Sequence, residues 1–256
     1  MKRTMLYFGS FNPVHKGHTA LAEYVLTCGL CDSVVFIVSP QNPMKQETAL
    51  LPELTRFEMA EIACRESQFP ALIQPSAVEF LLDKPSYTIN TLRFLEQNNG
   101  HQMRFSILMG ADNLENFHRW REWETILDNY EIYVYPRTGS DTRELGHKVH
   151  LLADAPVIGC SSTEIRSALR NGRDVSQWLS AGVLEYIAKN RLFKHNPEIA
   201  GLMTRAAEHY RRNEWGAALN TCNKVLDLDP DNAEAREYRK MIEEILAFRY
   251  TDIYNP

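Results

Sequence analysis

The sequence has few of the features that mark an exported, membrane-bound or polyanion-binding protein. Its N-terminus, MKRTMLYFGSF, carries basic residues but no apolar stretch as long as that of a signal peptide. The longest apolar runs, such as VVFIV at 34–38, are far too short to cross a bilayer. The formal net charge of -5 gives no general attraction to nucleic acid. We therefore expect a cytoplasmic protein that binds neither membrane nor nucleic acid.

Cysteine is also scarce. The five cysteines in 256 residues are irregularly spaced, so they do not form a disulfide framework. Cys28 and Cys31 make a CxxC, but no second CxxC and no HxxxH follows it, and Gly29 between them is typical of a helix end. The sequence therefore predicts no metal held by protein side chains.

What the sequence does contain is a regular alternation of strand and helix patterns. Short apolar runs predict strands at 4–8, 33–38, 71–75, 104–109, 131–135 and 149–152. Apolar residues at helical spacing predict helices at 19–28, 54–66, 88–97 and 120–128. This alternation predicts an α/β fold, a Rossmann-like doubly wound parallel sheet over residues 1–193. In such a sheet the ligand lies outside the carboxyl ends of the strands.

The first of those strand ends carries GSFNPVHKGH at 9–18. Gly9 and Ser10 end the strand and let the backbone approach a ligand, while a helix starting near Gly17 directs its positive end to the same place. His15 and His18 flank that helix start and can donate hydrogen bonds to the same anion. A strand-Gly-helix junction is also an ordinary turn, but the full string predicts a phosphate site.

A second candidate for anion binding is SSTEIR at 161–166. Ser161 followed by Glu164 forms a capping box, and Ile165 with Leu169 gives the apolar spacing of a short helix that ends near 171–172. The first backbone N–H groups of that helix can bind an anion.

Together these two motifs resemble those of the nucleotidyltransferase superfamily, whose members transfer a nucleoside monophosphate from a nucleoside triphosphate. SYTINTL at 86–92, GADNLENFHRWREW at 110–123 and YPRTG at 135–139 look like the bacterial nicotinate-nucleotide adenylyltransferases. The resemblance covers about residues 4–193. A cytidylyltransferase is less favoured, because its late motif usually runs RTxGIST rather than SSTEIR.

The resemblance implies a role for each matching residue. The residues implied to be catalytic are His15, His18 and Arg166. The residues implied to contact ATP are Gly9, Ser10, Phe11, Gly110, Asp112, Ser161, Ser162 and Thr163. The residues implied to contact the second substrate are Lys45, Tyr87, Thr88 and Trp120. The chain departs from the family at Cys160, where isoleucine is common, and before Lys45, where NPMK lacks the usual histidine.

The residue types support part of this assignment. Thr88 is predicted to be a helix N-cap, where free N–H groups suit the nicotinate carboxylate better than a neutral carboxamide. By the resemblance, Trp120 would stack on the pyridine ring, whereas Trp123 is expected to pack in the core. Asp112 follows a strand end, where either a nucleotide contact or a plain N-cap fits. Arg137 is a weaker candidate for a nucleotide contact.

The implied reaction joins ATP and nicotinate mononucleotide, with Mg²⁺ carried mainly on phosphate oxygens and water. The alternatives within the class are sister adenylyltransferases for nicotinamide mononucleotide or for pantetheine phosphate. An alternative of a different class is a helical-repeat binding scaffold that has inherited an enzyme fold. The presence of His15, His18 and Arg166 argues against the scaffold.

The C-terminal part reads as a small all-α extension at 199–250. Residues 199–230 match a tetratricopeptide-type repeat, with Leu202, Ala206, Ala218 and Val225 at the expected spacing, and 233–249 would cap it. A single repeat cannot bury its own apolar face. We expect it to dock on the catalytic domain of its own chain, while a homo-oligomer or a protein partner stays open.

Overall fold

The structure, a computed structural model, describes residues 1–40, 50–99, 102–136, 147–156, 159–193, 196–230 and 232–253. Its contacts divide the chain into two compact units. The first comprises Met1–Cys160 with Trp178–Tyr186, and the second comprises Ser161–Gln177 with Ile187–Pro256. The predicted boundary between 193 and 199 stays a prediction, because these units follow contacts and place 161–177 with the C-terminal helices.

The first unit is built on a parallel six-stranded sheet. Its strands are β1 (Lys2–Gly9), β2 (Ser33–Val38), β3 (Ile73–Ser76), β4 (Met103–Gly110), β5 (Glu131–Tyr135) and β6 (Val149–Leu151). They lie in the order β3-β2-β1-β4-β5-β6, and every neighbouring pair is parallel. This arrangement confirms the predicted Rossmann-like doubly wound sheet.

The helices follow the predicted alternation with a few differences. Their bounds are α1 (Lys16–Thr27), α2 (Glu53–Arg65), α3 (Thr88–Asn98), α4 (Ala111–Glu115), α5 (Trp123–Asn129), α6 (Ser162–Arg170), α7 (Ala181–Lys189), α8 (Pro197–Arg211), α9 (Trp215–Leu228) and α10 (Ala233–Ile253). The sequence patterns missed the short α4 and α7. The helix predicted from residue 120 begins at Trp123, because Glu122 before it has a left-handed backbone with φ of 53°. None of the described helices is both long and apolar enough to cross a membrane.

The two central strands place the chain's first motif at the switch point of the sheet. β1 pairs with β2 on one side and β4 on the other, with Gly9 opposite Val38 and Tyr7 opposite Leu108. Both central strands are buried along most of their length, as parallel strands covered by helices must be. The carboxyl ends of β1 and β4 therefore lie side by side, where the strand order reverses and where such sheets bind ligands.

A buried arginine on α2 holds the loops at that edge of the sheet. Arg56 is 1% exposed, and its guanidinium donates to the backbone carbonyls of Ser10, Ser39 and Pro40 at 2.6, 2.8 and 3.2 Å. Its Nε donates to the carbonyl of Leu51 at 2.9 Å. One side chain thus ties the segment after β1 to the segment after β2.

The second unit joins α6 to the C-terminal helices. Arg170 on α6 donates to Asp229 at 2.6 Å, and both side chains are largely buried. Arg173 and Asn171, just after α6, both reach Glu234 on α10. The extension therefore packs against a helix that we predicted to belong to the catalytic domain.

The apolar positions predicted for the repeat lie inside this unit. Leu202, Ala206, Ala218 and Val225 are all buried, between α8, α9 and α10. The helix pair and the following helix match the predicted layout, while the tetratricopeptide class of the extension stays a prediction.

Replacing Arg56 tests whether this buried guanidinium holds the loops. We expect Arg56→Met to lower the free energy of unfolding by about 3 kcal/mol, because it leaves buried carbonyl groups without their charged donor. Arg65→Met, on the exposed end of the same helix, should change it by less than about 0.5 kcal/mol. Chemical denaturation of both variants measures the difference, and equal effects would contradict the role given to Arg56.

Candidate active site

The turn between β1 and α1 is organised by two histidines that cap each other. His15 is the N-cap of α1, and its Nδ1 accepts from the backbone N–H of Gly17 at 3.1 Å. In return, the Nδ1 of His18 accepts from the backbone N–H of His15, also at 3.1 Å. This is a capping box in which imidazoles take the places usually held by Ser and Glu.

These hydrogen bonds decide which ring nitrogen carries the proton. A backbone N–H is always a donor, so the Nδ1 atoms that accept from it must be unprotonated. In both neutral rings the proton is therefore on Nε2, which is a donor. The ring centroids are 3.8 Å apart, so the two rings lie side by side at the start of α1. A helix N-terminus with two added N–H donors suits a phosphate.

Gly9 and Phe11 shape the same turn. A Cβ added at Gly9 would lie 2.9 Å from the Phe11 ring, so no larger residue fits there without a shift. The Phe11 ring is 1% exposed and stacks on Phe36 with centroids 5.0 Å apart. The side chain of Phe11 is thus part of the core, which leaves its backbone as the part able to contact a nucleotide.

Gly110 and Asp112 lie at the end of the neighbouring strand. Gly110 ends β4 and is the N-cap of α4, and the exposed Asp112 is in the first turn of that helix. The N-cap reading of Asp112 is therefore wrong, because Gly110 occupies that position. A nucleotide contact for Asp112 stays a prediction.

The second motif forms the predicted capped helix. Ser161 is the N-cap of α6: its hydroxyl accepts from the N–H of Glu164 at 3.2 Å, and the Glu164 carboxylate accepts from the N–H of Ser161 at 2.6 Å. Arg166 is 5% exposed, and its guanidinium donates to the Thr163 hydroxyl at 3.2 Å. The helix ends at Arg170, before Gly172 with φ of 65°, as predicted.

A cavity of about 300 Å³ opens in the first unit beside Gly9. It is at the small end of the range of small-molecule sites, about 300 to 1,000 Å³. Its lining residues are Phe8, Gly9, Ser39, Glu79, Ser86, Tyr87, Thr88, Ile107, Leu108, Met109, Asn113, Arg119, Trp120 and Arg121. It therefore brings together the end of β1, the start of α3 and the segment around Trp120.

The start of α3 presents backbone donors at the cavity. Tyr87, not Thr88, is the N-cap, so the predicted N-cap was wrong by one residue, and no side chain caps the helix. The N–H groups of Asn90 and Thr91 already donate to the carbonyl of Tyr87. Those of Thr88 and Ile89 have no acceptor among the described residues. These two donors and the helix dipole favour an anion.

Both tryptophans pack partly buried on the core, and only Trp120 also lines the cavity, so its ligand role stays a prediction. Trp123 is partly buried and packs on the core against Phe117, with ring centroids 6.3 Å apart. Trp120 also packs on Phe117, at 5.3 Å, but it lines the cavity as well. Trp120 is therefore placed to offer a ring face to a bound aromatic group.

Sequence reasoning missed the most buried polar group in the cavity wall. Glu79 is 1% exposed, and the Thr91 hydroxyl donates to its Oε1 at 2.8 Å. Its Oε2 and the hydroxyl of Ser86, which is 8% exposed, have no hydrogen-bond partner among the described residues. Burial raises the pKa of Glu79. The Thr91 hydroxyl and the nearby Ser39 and Ser86 hydroxyls act in the opposite direction and lower it. Neither serine forms a hydrogen bond to Oε2.

Two predicted contacts, Lys45 and Arg137, lie outside the described residues. Across the part of the chain that the structure describes, no group of three or more His, Cys, Asp or Glu side chains could hold a metal ion. Cys31 of the CxxC is buried, and burial raises the pKa of its thiol to about 11. That thiol therefore stays protonated near neutral pH.

The doubly wound sheet and the histidine-capped turn define the class of the protein, an α/β nucleotidyltransferase. In agreement, residues 6–168 match the family described as cytidylyltransferase-like. The chain belongs, within that class, to the family of nicotinate-nucleotide adenylyltransferases, as its relatives show.

The relatives cover most of the chain. The probable nicotinate-nucleotide adenylyltransferase of Flavobacterium johnsoniae is 38% identical over 193 residues, which are 74% of this chain and 97% of that protein. That of Porphyromonas gingivalis is 40% identical over 178 residues, 69% of this chain and 88% of that protein. A solved structure of the Plasmodium falciparum nicotinic acid mononucleotide adenylyltransferase complexed with NaAD has a TM-score of 0.65 at 18% identity. It covers 77% of this chain and 99% of its own, and it shows the same fold.

The buried Glu79 should make stability depend on pH. Its pKa in the folded state is raised above the ordinary 4.5, so its contribution is full below pH 4.5 and is lost as pH rises through the raised pKa. Glu79→Gln removes this titration. We expect the difference in the free energy of unfolding, variant minus wild type, to be larger at pH 8 than at pH 5. The reason is that only wild type loses stability as Glu79 ionises.

Denaturant unfolding at both pH values measures this difference. Glu185→Gln, an exposed position, is the matched control and should show the same offset at pH 5 and pH 8. An offset for Glu79→Gln that does not change with pH would contradict a raised pKa at this site.

Proposed function

We propose that the protein transfers the adenylyl group of ATP to nicotinate mononucleotide, giving nicotinate adenine dinucleotide and pyrophosphate. The observation that carries this proposal is the cavity that connects Gly9, at the end of β1, with the donors of α3 and the ring of Trp120. In this proposal a phosphate would lie beside the N-terminus of α1 and the pyridine carboxylate beside that of α3. Both helix N-termini belong to the first unit and provide N–H donors for an anion. Membership of the nicotinate-nucleotide adenylyltransferase family supports the choice of substrates.

The bond changes need no covalent enzyme intermediate. An oxygen of the 5'-phosphate of nicotinate mononucleotide attacks the α-phosphorus of ATP, and the bond from that phosphorus to the oxygen bridging to the β-phosphate breaks. Pyrophosphate leaves with the electron pair of that bond. The nucleophile is already an anion, so the enzyme has only to position the two substrates and stabilise charge.

The capped histidines supply that stabilisation in this proposal. With both Nδ1 atoms accepting from the backbone, each Nε2–H can donate to a phosphate oxygen as negative charge builds there. The hydrogen bonds already made by the backbone hold the rings before substrate arrives. Little reorganisation is then needed in the transition state.

The remaining predicted residues complete the proposal. The α6 N-terminus, with Ser162, Thr163 and Arg166, would hold the outer phosphates of ATP. Trp120 would stack on the pyridine ring, and the N–H groups of Thr88 and Ile89 would receive its carboxylate.

A divalent cation, expected to be Mg²⁺, would neutralise charge on the phosphates. The described residues offer no carboxylate cluster, a donor set that fits an ion held mainly by phosphate oxygens and water. A cytoplasmic location is also part of the proposal, while oligomerisation or a partner for the extension stays a prediction.

Substrate preference tests the proposed function directly. Pyrophosphate release should be measured with ATP, magnesium and one of three acceptors: nicotinate mononucleotide, nicotinamide mononucleotide or phosphopantetheine. We expect the acid mononucleotide to give the highest kcat/KM, because the start of α3 favours an anion. Preference for another acceptor would overturn the substrate assignment, and no turnover with any of them would favour a binding scaffold.

His18 can be tested with its capping role kept separate from its donor role. His18→Asn keeps an acceptor where Nδ1 was, but it removes the Nε2 donor. We expect it to fold with nearly unchanged stability and to lose about a hundredfold in kcat, as other sites do when one such donor is removed. His147→Ala is a control at an exposed position. Near-normal turnover by His18→Asn would contradict the proposed role.

A further inference from the structure

Two arginines line the cavity on either side of Trp120. Arg119 and Arg121 are exposed, and both belong to the cavity wall. Within the described part of the chain, neither forms an ion pair with a carboxylate. Positive charge at a ligand cavity that is not neutralised by the protein is available to a ligand.

Of these two arginines, Arg121 contacts the residue at the start of α3. Its guanidinium carbon lies 5.0 Å from the centre of the Tyr87 ring, a cation–π distance. Tyr87 is the N-cap of α3, and the N–H groups of Thr88 and Ile89 follow directly. A fixed positive charge and a helix N-terminus therefore lie beside the same part of the cavity.

The neighbouring acid, Glu122, accepts its hydrogen bonds from a different arginine, although the charge of Arg121 also helps to lower its pKa. Glu122 is bound by Arg93 of α3 through two contacts of 3.0 and 2.5 Å. That pair also fastens the chain after Trp120 to α3, and so limits where Arg121 can lie. Arg121 lines the cavity without a hydrogen bond to Glu122.

The cavity wall also carries two buried polar atoms that have no hydrogen-bond partner among the described residues. The Oε2 of Glu79 and the hydroxyl of Ser86 are buried at the cavity without a hydrogen bond from any described residue. Burial raises the pKa of Glu79, which weakens the negative charge that this carboxyl presents to a bound anion. The Ser86 hydroxyl is thus a further donor available to a ligand in this cavity.

We propose that Arg121 is a specificity-determining residue that pairs with the carboxylate of the pyridine substrate and so selects the acid mononucleotide over the amide. This inference rests on the proposed function. A carboxylate gains a charge-assisted hydrogen bond from the guanidinium, whereas a carboxamide gains no ion pair. Backbone N–H groups alone would separate the two substrates less strongly.

The test compares the two substrates on one variant. We expect Arg121→Gln to lower kcat/KM for nicotinate mononucleotide by about 10- to 100-fold, the range of a hydrogen bond to a charged group. The value for nicotinamide mononucleotide should change less than about 3-fold, and the KM for ATP should stay the same. Arg121→Lys keeps the charge and should restore part of the preference.

Arg65→Gln is the matched control, because it removes the same charge from an exposed site on α2. Equal losses for the acid and the amide with Arg121→Gln, or no loss for either, would overturn the role of Arg121. Thermal unfolding of each variant shows whether a loss of activity comes from misfolding. If Arg121→Gln is misfolded, Arg121→Lys decides the question. A variant that keeps the preference for the acid mononucleotide supports the role of Arg121, and one that loses this preference opposes it. If the wild-type enzyme does not use nicotinate mononucleotide at all, the proposed function itself fails.

Discussion

His15 and His18 cap each other across the first turn of α1, and this pair of backbone hydrogen bonds fixes both the path of the chain after β1 and the chemistry of the rings. The backbone N–H groups occupy both Nδ1 atoms, so the protons are on Nε2. The same residues that begin the helix therefore become donors beside its positive end. In the proposed function, capping and phosphate binding would both follow from this one arrangement.

The rest of the first unit supports that turn. The parallel sheet places the ends of β1 and β4 side by side. The Arg56 guanidinium connects the loops after β1 and β2, because it donates to a backbone carbonyl in each. The cavity then extends from Gly9 to α3, whose first N–H groups have no acceptor among the described residues. In the proposed function, these hydrogen-bond donors would meet the phosphates and the carboxylate of the two substrates.

Much of this could be predicted from the sequence, for reasons that individual elements show. The run SVVFIV was predicted as a strand at 33–38 and is one, because β-branched residues buried on both faces have few other solutions. The capping box at Ser161 is confirmed, and Trp123 packs on the core as predicted, although it is only partly buried. The N-cap of α3 and the start of α5 were placed wrongly, because helix ends depend on single backbone conformations such as that of Glu122.

Arg56 and Glu79 were missed because a charged residue in a sequence is normally expected at the surface. Arg56 does fall on the buried face of α2 with Met59 and Ala63, and that spacing could have revealed it.

The central claim is that the cavity beside Gly9 holds the pyridine nucleotide, and a crystal structure with nicotinate mononucleotide tests it most directly. The account predicts that the pyridine ring lies against Trp120, with its carboxylate at the N–H groups of Thr88 and Ile89 and near the guanidinium of Arg121. It also predicts that the 5'-phosphate points toward the start of α1. A ring bound outside this cavity, or turned so that its carboxylate faces away from α3, would contradict the account.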